Sequence, residues 1–374
     1  TRRSASVVDM ATGRRLYGQG AGEALTPAST TKIATGVAAL SALGPDHRLT
    51  TRAVLEPGTG ELVLVGGGDP TLTAREDTQG WASLRALADG TAAALAKRGV
   101  TEATLSYDTS LYAGPDLHPI GVNENIARVT ALMADEARAD DSTRGPAPRV
   151  ADPAAHAADT FARLLSDAGV PTTVAGPSRA TARAENLATV SSPPLSALVE
   201  RMLTNSDNDI AEALTRHTAV ATGARPDFAG GAGAVEARLR GLGLPLTGAA
   251  FHDGSGLDRA DRLTADLLTA LLLKAADPAH PELRPVLTGL PVAGFTGTLS
   301  SRYADGADGA DGAAGLVRAK TGTLTGVNTL AGTVVTRDGH LLAFAFLTEN
   351  TTGQEAAQSA LDRTVTTLTT CSCR

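Results

Sequence analysis

Lysine is nearly absent from this chain of 374 residues, in which arginine supplies all but four of the 33 basic side chains. Two of the four lysines lie in short polar motifs: Lys32 follows Ser29 by three residues, and Lys320 precedes Thr321 and Gly322. A lysine amine that is removed from water can lose its proton and act as a base, whereas a guanidinium group stays protonated. The choice of lysine at these positions therefore indicates a chemical role.

Aromatic residues, basic clusters and long apolar runs are also missing. Aromatic residues form 3% of the chain, and its net charge of −7 is spread without a basic stripe. Both features argue against nucleic acid as a partner. No uninterrupted run of about 18 apolar residues occurs, so we expect no transmembrane segment. The remaining composition, 42% hydrophobic and 20% charged, is typical of a globular protein, and the length suggests about two domains.

Cysteine is confined to Cys371 and Cys373, both within the last four residues. No cysteine lies in an arrangement typical of a thiol nucleophile, and a single C-x-C pair is poor support for a metal site. Three states stay open for these thiols: a small terminal disulfide, a link to another chain, or two free groups. We expect neither a metal ion nor a cofactor to take part in the chemistry.

Hydrophobic periodicity predicts a mixture of helices and strands. We expect a helix that begins near Ser29, a charged linker over residues 134–152 and a low-complexity loop over residues 305–312. The pattern in the last part of the chain predicts a meander of three strands, over residues 316–320, 330–336 and 341–347. A final helix is predicted over residues 354–368.

Ser29 and Lys32 lie on one face of the predicted helix, because residues three positions apart on a helix point the same way. The Ser29 hydroxyl would stand at the positive end of the helix dipole, where unpaired backbone N–H groups can stabilise an oxyanion. Burial and a second cation, for which Lys320 is the candidate, would lower the pKa of Lys32. The pair predicts a serine nucleophile with a lysine base, although alone it is also compatible with an N-cap and a surface amine.

Ser206 and Asn208 lie in a predicted turn between two apolar, helix-like segments. Such a turn can present both short polar side chains from one side. Ser206 would relay a proton to a leaving amine, and Asn208 would bind a substrate backbone or orient Lys32. Taken alone, the Ser-Asp-Asn sequence is also typical of a capping turn.

Lys320, Thr321, Gly322 and Thr323 close a predicted strand. A cation beside two hydroxyl groups forms a receptor for a carboxylate, and Gly322 would let a ligand backbone approach closely. We expect the backbone N–H groups of Ser29 and Thr323 to be the two donors of an oxyanion hole. A surface strand end is the alternative for this motif by itself.

His252, Asp253 and Ser255 invite comparison with a Ser-His-Asp triad. Residues so close in sequence cannot readily form a relay among themselves, and the segment lacks the G-x-S-x-G elbow. We interpret it as a structural turn near the site.

The three motifs S-x-x-K, S-x-N and K-T-G, in this order, form the signature of penicillin-binding proteins and serine β-lactamases. Four further phrases resemble the class C low-molecular-mass penicillin-binding proteins, in family order and over most of the chain. These phrases are residues 66–72, 252–257, 290–294 and 320–327.

The resemblance implies an α/β (α+β) fold with a penicillin-binding/β-lactamase-like transpeptidase domain, in which an antiparallel sheet is flanked by helices. It also implies a smaller domain inserted between the first two motifs, which we expect to be shortened relative to the family. We therefore expect a discontinuous catalytic domain over residues 1–48 and 179–374, and the inserted domain over residues 49–178.

Members of this family are D-alanyl-D-alanine carboxypeptidases and endopeptidases of peptidoglycan. The resemblance implies that Ser29, deprotonated by Lys32, attacks the penultimate D-Ala of a stem peptide, while Lys320, Thr321 and Thr323 hold the terminal carboxylate. β-Lactams would acylate the same serine as covalent inhibitors. The chain opens at Thr1 rather than Met, which fits an exported, extracytoplasmic protein of bacterial type.

Two other functions stay open from the sequence. A serine β-lactamase shares the chemistry, but no Glu-x-x-Leu-Asn motif follows Asn208 and the interval between the first two motifs is long. A non-catalytic wall-binding or sensing module belongs to a different class, and the presence of Ser29, Lys32, Ser206 and Lys320 together argues against it. Rapid turnover of penicillin would favour the β-lactamase, and a failure to release D-Ala would favour the binding module.

Overall fold

The computed structural model describes residues 1–303 and 312–371. Most of the loop predicted over residues 305–312, and Cys373, lie outside the described residues. The chain divides into two compact units: Thr1–Pro45 with Ser196–Arg374, and Asp46–Leu195.

The strands are named in chain order. They are β1 (Arg2–Asp9), β2 (Arg15–Gln19), β3 (Ala24–Leu25), β4 (Thr50–Leu55), β5 (Leu62–Val65), β6 (Ala103–Asp108), β7 (Thr172–Pro177), β8 (Glu185–Ser191), β9 (Leu263–Thr264), β10 (Val317–Leu324), β11 (Val327–Val335) and β12 (Leu341–Glu349).

The α-helices are named in the same way. They are α1 (Thr31–Leu43), α2 (Leu84–Ala96), α3 (Pro153–Asp167), α4 (Leu195–Asn205), α5 (Asn208–Thr222), α6 (Phe228–Gly241), α7 (Ala265–Ala276), α8 (Pro285–Thr288) and α9 (Gln354–Thr369). Across residues 1–303 and 312–371, none of the helices combines the length and the apolar character that a membrane span requires.

The first unit contains a five-stranded sheet in the order β10-β11-β12-β1-β2, antiparallel throughout. Helix α9 covers one face, where its Leu361 and Val365 pack in a core with Val7 of β1. Helix α7 lies on the other face, since Ser6 Oγ donates to Asp266 Oδ1 of α7 at 3.2 Å and neighbouring side chains of a strand point to opposite faces. The predicted antiparallel sheet flanked by helices is confirmed.

Helix α1 is buried along most of its length, because every residue from Thr31 to Leu40 is buried. It packs against α5, α6 and α7 in the first unit. A helix that is enclosed on all sides is normally apolar all round. Lys32 is therefore an exception that needs polar partners inside the unit.

The second unit contains a sheet in the order β7-β6-β5-β4-β8, in which β5, β6 and β7 are parallel and β4 is antiparallel to both of its neighbours. Helices α2 and α3 close its core through side chains such as Leu87, Leu95, Phe161 and Leu165. The sequence-based boundary at residue 178 falls between β7 and β8. Because β8 pairs with β4, this unit extends instead to Leu195.

Candidate active site

Ser29 lies in the 3₁₀ turn Ala28–Thr30, directly before α1, so a helical segment begins where the sequence predicted one. The carbonyl oxygen of Pro27 holds this turn. It accepts hydrogen bonds from Thr30 N at 3.3 Å, Thr30 Oγ1 at 2.6 Å and Thr329 Oγ1 at 2.8 Å. Ala28 has a φ of 47°, a left-handed conformation that costs a non-glycine residue about 1–3 kcal/mol. The surrounding contacts thus hold the strained Ala28 backbone and fix the position of Ser29 next to it.

Lys32 Nζ lies 3.1 Å from Ser29 Oγ, 2.6 Å from Asn208 Oδ1 and 2.7 Å from the carbonyl oxygen of Ser255. The amide oxygen of Asn208 and the carbonyl of Ser255 can only accept hydrogen bonds. A neutral amine has two N–H donors, and these two acceptors use both of them. Its lone pair is then left for Ser29 Oγ, which is the arrangement that a general base needs.

Burial lowers the pKa of Lys32 from 10.5 to about 8. Nearby carboxylates oppose this shift, because negative charge stabilises the ammonium form. In decreasing order of effect they are Asp253, Asp207, Glu212 and Asp209. With a pKa of about 8, about one tenth of the Lys32 side chains are neutral at pH 7 and able to accept a proton.

Burial, and then the positive charge of Lys32, lower the pKa of Lys320 well below its ordinary value. From the sequence, burial and repulsion from Lys320 were both expected to lower the pKa of Lys32. In the structure burial is the cause at Lys32, and the repulsion is a secondary cause at Lys320. An anion bound beside Lys320 would raise its pKa again, because the anion favours the ammonium form.

Ser206 joins α4 to α5 with a φ of 58°, in the left-handed region. Asp207 then caps α5, since its Oδ1 accepts a hydrogen bond from Ile210 N at 3.0 Å. Helix α5 begins at Asn208, and the first helical side chain therefore reaches Lys32. Of the two roles that the sequence suggested for Asn208, the contact with Lys32 is present.

Lys320, Thr321, Gly322 and Thr323 lie inside β10 rather than at its end. Strand β10 is an edge strand, and on the side away from β11 its Ala319 N donates to Pro291 O at 2.9 Å. Alternate N–H groups of a strand point the same way. The N–H groups of Thr321 and Thr323 therefore also point off this edge, towards the side where a ligand strand can add.

The side chains of the motif meet at the same edge. Lys320 Nζ donates to the backbone oxygen of Thr321 at 2.7 Å. Thr321 Oγ1 donates to Thr298 Oγ1 at 2.8 Å, and Thr323 Oγ1 accepts from Gln358 Nε2 at 3.2 Å. The edge thus gathers an amine, two hydroxyl groups and two backbone donors, which is the composition of an anion receptor.

Gly322 lets β10 pack closely against the Ser29 turn, and its expected role in the approach of a ligand backbone stays a prediction. A Cβ atom at this position would lie 2.1 Å from Thr329 Oγ1, 2.8 Å from Pro27 O and 3.1 Å from Ser29 N. The missing side chain lets β10 approach the turn that carries Ser29. Only this approach brings the free edge of β10 and the Ser29 N–H to one place.

Ser255 belongs to a tight turn and not to a catalytic triad. Its Oγ donates to Asp253 Oδ2 at 3.1 Å, while His252 Nδ1 lies 3.5 Å from the carboxylate of Asp261. This agrees with the interpretation of the segment as a structural turn. The role of the Ser255 carbonyl as an acceptor for Lys32 could not be predicted from the sequence, because every residue has a carbonyl and no side-chain pattern marks this one.

Comparison with known proteins places these features in a family context. The model of the D-Ala-D-Ala carboxypeptidase 3 (S13) family matches residues 2–139 and 137–371. A carboxypeptidase of Mycobacterium tuberculosis is 38% identical over 375 residues, which cover 98% of this chain and 80% of the relative. A D-alanyl-D-alanine carboxypeptidase of Actinomadura sp. is 31% identical over 433 residues, which cover 93% of this chain and 77% of the relative.

Solved structures show the same similarity in three dimensions. Penicillin binding protein 4 of Haemophilus influenzae superposes with a TM-score of 0.82 at 22% identity, over 99% of this chain and 97% of that protein. The same protein in complex with a β-lactam has a TM-score of 0.75 at 26% identity, over 97% and 95% of the two chains. The likeness therefore covers both units of the chain.

Proposed function

The chain belongs to the D-Ala-D-Ala carboxypeptidase 3 (S13) family, and on this premise we propose that Ser29 is the residue that becomes acylated. The protein is a serine-type D-alanyl-D-alanine carboxypeptidase/endopeptidase of the low-molecular-mass class C penicillin-binding group. One observation carries the assignment of the site. Lys32 Nζ lies within hydrogen-bond distance of Ser29 Oγ, Asn208 Oδ1 and Ser255 O, so in its neutral form the amine can give both hydrogens to the last two and turn its lone pair to Ser29 Oγ.

Acylation begins when Ser29 Oγ attacks the carbonyl carbon of the penultimate D-Ala and Lys32 accepts the hydroxyl proton. The negative charge that develops on the carbonyl oxygen is stabilised by the N–H of Ser29, at the positive end of α1, and by the N–H of Thr323, on the free edge of β10. These two donors come from distant parts of the chain. The absence of a side chain at Gly322 allows them to converge.

The terminal carboxylate of the substrate binds at the edge of β10, to Lys320, Thr321 and Thr323. The arriving anion raises the pKa of Lys320, whose burial otherwise disfavours the ammonium form. Binding of the carboxylate therefore favours the positively charged form of Lys320. A peptide whose carboxyl end is blocked would leave this buried amine without an anionic partner.

Collapse of the tetrahedral intermediate breaks the peptide bond, and Ser206 relays to the departing D-Ala amine the proton that Lys32 took from Ser29, which returns Lys32 to its neutral form. Water then attacks the ester at Ser29 while Lys32 accepts its proton. Lys32 gives this proton to Ser29 Oγ as the ester bond breaks, and the shortened peptide is released. Asn208 keeps the Lys32 amine in place through both halves of the reaction. The scheme uses only groups of the first unit, to which we assign catalysis.

The substrates that fit this chemistry are peptidoglycan stem peptides, and we place the protein outside the cytoplasmic membrane, where these peptides lie. β-Lactams fit the same site, because their ring amide imitates the scissile bond and their carboxylate imitates the terminal carboxylate. The complex of the H. influenzae relative with a β-lactam supports this part of the proposal.

Intact-mass spectrometry after treatment with penicillin tests the nucleophile directly. We expect the wild-type chain to gain the mass of one penicillin and Ser29→Ala to gain none. Ser41→Ala is the matched control, since Ser41 lies on the same helix and its hydroxyl donates to Ala38 O. It should retain the adduct.

A stem-like peptide that ends in D-Ala-D-Ala tests the reaction. The wild-type chain should release D-Ala, and Ser29→Ala should not. An adduct on Ser29→Ala would disprove the assignment of the nucleophile. An adduct that is hydrolysed within seconds by the wild type would favour a β-lactamase, and an adduct without any D-Ala release would favour a binding module.

A further inference from the structure

Gln358 connects helix α9 to the carboxylate receptor on β10. It lies one turn into α9, half-buried, and its Nε2 donates to Thr323 Oγ1 at 3.2 Å. The three sequence motifs contain no part of α9. The contact therefore adds a residue whose relation to the site only the fold reveals.

The direction of this hydrogen bond determines what Thr323 can do. A threonine hydroxyl has one O–H donor and two acceptor lone pairs. When the Gln358 amide donates into one of the lone pairs, the O–H of Thr323 is left for another acceptor. The reverse arrangement, with the Gln358 amide oxygen accepting from Thr323, would take that proton away from any ligand.

The surroundings of Thr323 favour an anionic acceptor for its free proton. Its backbone N–H points off the edge of β10, and Lys320 Nζ lies on the Thr321 oxygen at the same edge. A carboxylate at this edge accepts from the hydroxyl and compensates the buried amine. A neutral amide at position 358 adds no charge that would oppose it.

We infer that Gln358 is a positioning residue for the terminal carboxylate of the substrate, which holds the Thr323 hydroxyl as a donor towards that group. The inference rests on the proposed function. It assigns to α9 part of the preference for ligands that end in a free carboxylate.

Two substitutions at this position separate the effects of geometry and charge. Gln358→Glu places a carboxylate beside Thr323. This carboxylate accepts the hydroxyl proton of Thr323 and repels the terminal carboxylate of the substrate. Gln358→Met keeps the length of the side chain and removes its donor. Gln354→Glu is the matched control, because it introduces the same charge at an exposed position one turn earlier on the same helix.

The readout is the steady-state kinetics of two stem-like peptides, one that ends in a free D-Ala carboxylate and one that ends in the corresponding carboxamide. For the free acid we expect Gln358→Glu to raise KM about tenfold and to change kcat less than about threefold, since a charge-assisted hydrogen bond to the bound carboxylate is lost. The carboxamide should be affected little, so the preference for the acid falls. Gln358→Met should raise KM for the acid about threefold, and Gln354→Glu should behave as the wild type.

Two further measurements distinguish positioning from a merely structural effect. The KM ratio between Gln358→Glu and wild type should fall towards one only as the pH is lowered through the pKa of the introduced carboxyl, about 4.3 for an unperturbed glutamate, because the protonated carboxyl can donate again. In a Thr323→Ala background, Gln358→Met should have no additional effect on KM.

The inference and the proposed function fail in different ways. If Gln358→Glu and Gln358→Met, both folded by their melting curves, keep the wild-type preference for the acid, Gln358 does not position the carboxylate, although the reaction at Ser29 stands. If the wild-type chain neither forms a penicillin adduct nor releases D-Ala, the proposed function is wrong, and the inference falls with it.

Discussion

Lys32 Nζ and Asn208 Oδ1 lie 2.6 Å apart, although 176 residues separate them in the chain. Each residue lies in the first turn of its helix, Lys32 on α1 and Asn208 on α5. Both helix ends are fixed by their own contacts, at the Pro27 carbonyl and at the Asp207 cap. The direction of the Lys32 lone pair is thus set by two rigid helix starts and not by the flexible lysine side chain alone.

The pH dependence of acylation follows from the pKa of Lys32. Only the neutral amine can accept the Ser29 proton, so the rate of penicillin acylation should rise about tenfold per pH unit up to about pH 8 and level off above it. Asp253→Asn removes the carboxylate that most strongly favours the ammonium form, which lowers the pKa and moves the rise to lower pH. Stopped-flow measurement of acylation between pH 5 and 10 checks both expectations, and an unchanged profile in the folded variant would contradict the role of Lys32.

Asn208→Asp should shift the same profile in the opposite direction. A carboxylate in place of the amide oxygen at 2.6 Å stabilises the ammonium form of Lys32, so the pKa rises and acylation at pH 7 becomes slower by about tenfold or more. At a pH well above the new value the rate should approach that of the wild type, because the geometry is kept. Asn186→Asp, at an exposed position of the second unit, is the control and should leave the profile unchanged.

Ser206 allows catalysis and stability to be separated. Its φ of 58° is unfavourable for any residue with a Cβ atom, and glycine relieves this strain. Ser206→Gly should therefore be more stable to urea than Ser206→Ala by about 1 kcal/mol, while both lose the hydroxyl and release D-Ala about 100-fold more slowly. If the two variants differ in activity as they differ in stability, or if Ser206→Ala retains full activity, the proton-relay role is wrong.

Local pattern was sufficient for many of the elements around the site. The predicted meander corresponds to β10, β11 and β12, and the predicted final helix corresponds to α9. Helices α6 and α7 were not predicted. Helix α6 contains a glycine-rich stretch with low helix propensity, and it packs against α1 and α5, which shows how tertiary contacts override propensity. Helix α7 has a nearly continuous apolar run, which periodicity alone cannot distinguish from a buried strand.

Only part of the candidate site could be predicted from the sequence. Ser29, Lys32 and Asn208 could be named from the sequence because their chemistry belongs to their side chains. The acceptor role of the Ser255 carbonyl and the contact from Gln358 could not, since neither leaves a pattern in residue type. Both depend on how distant segments pack together.

Gly322→Ala tests whether close packing of β10 against the Ser29 turn creates the site. The new Cβ would meet Thr329 Oγ1 at 2.1 Å and the Pro27 carbonyl at 2.8 Å, and the latter is backbone that cannot rotate away. We expect a loss of about 1–3 kcal/mol in the free energy of unfolding and a decrease of at least about tenfold in penicillin acylation, because β10 must move away from Ser29. Gly233→Ala is the control: it lies in α6 with no atom within 4 Å of the added Cβ, and should stabilise the helix by about 0.5–1 kcal/mol without a change in acylation.

A second substitution separates the two contacts of the added methyl group. Thr329→Ala removes the side chain that lies closest to it, so Gly322→Ala combined with Thr329→Ala should recover part of the lost stability. Acylation should stay slow in the double variant, because the contacts with the Pro27 carbonyl and with Ser29 N at 3.1 Å persist and the hydrogen bond from Thr329 to Pro27 is absent. Full acylation by Gly322→Ala would show that the Ser29 N–H and the edge of β10 need not approach this closely, and the oxyanion hole would then have to be built from other donors.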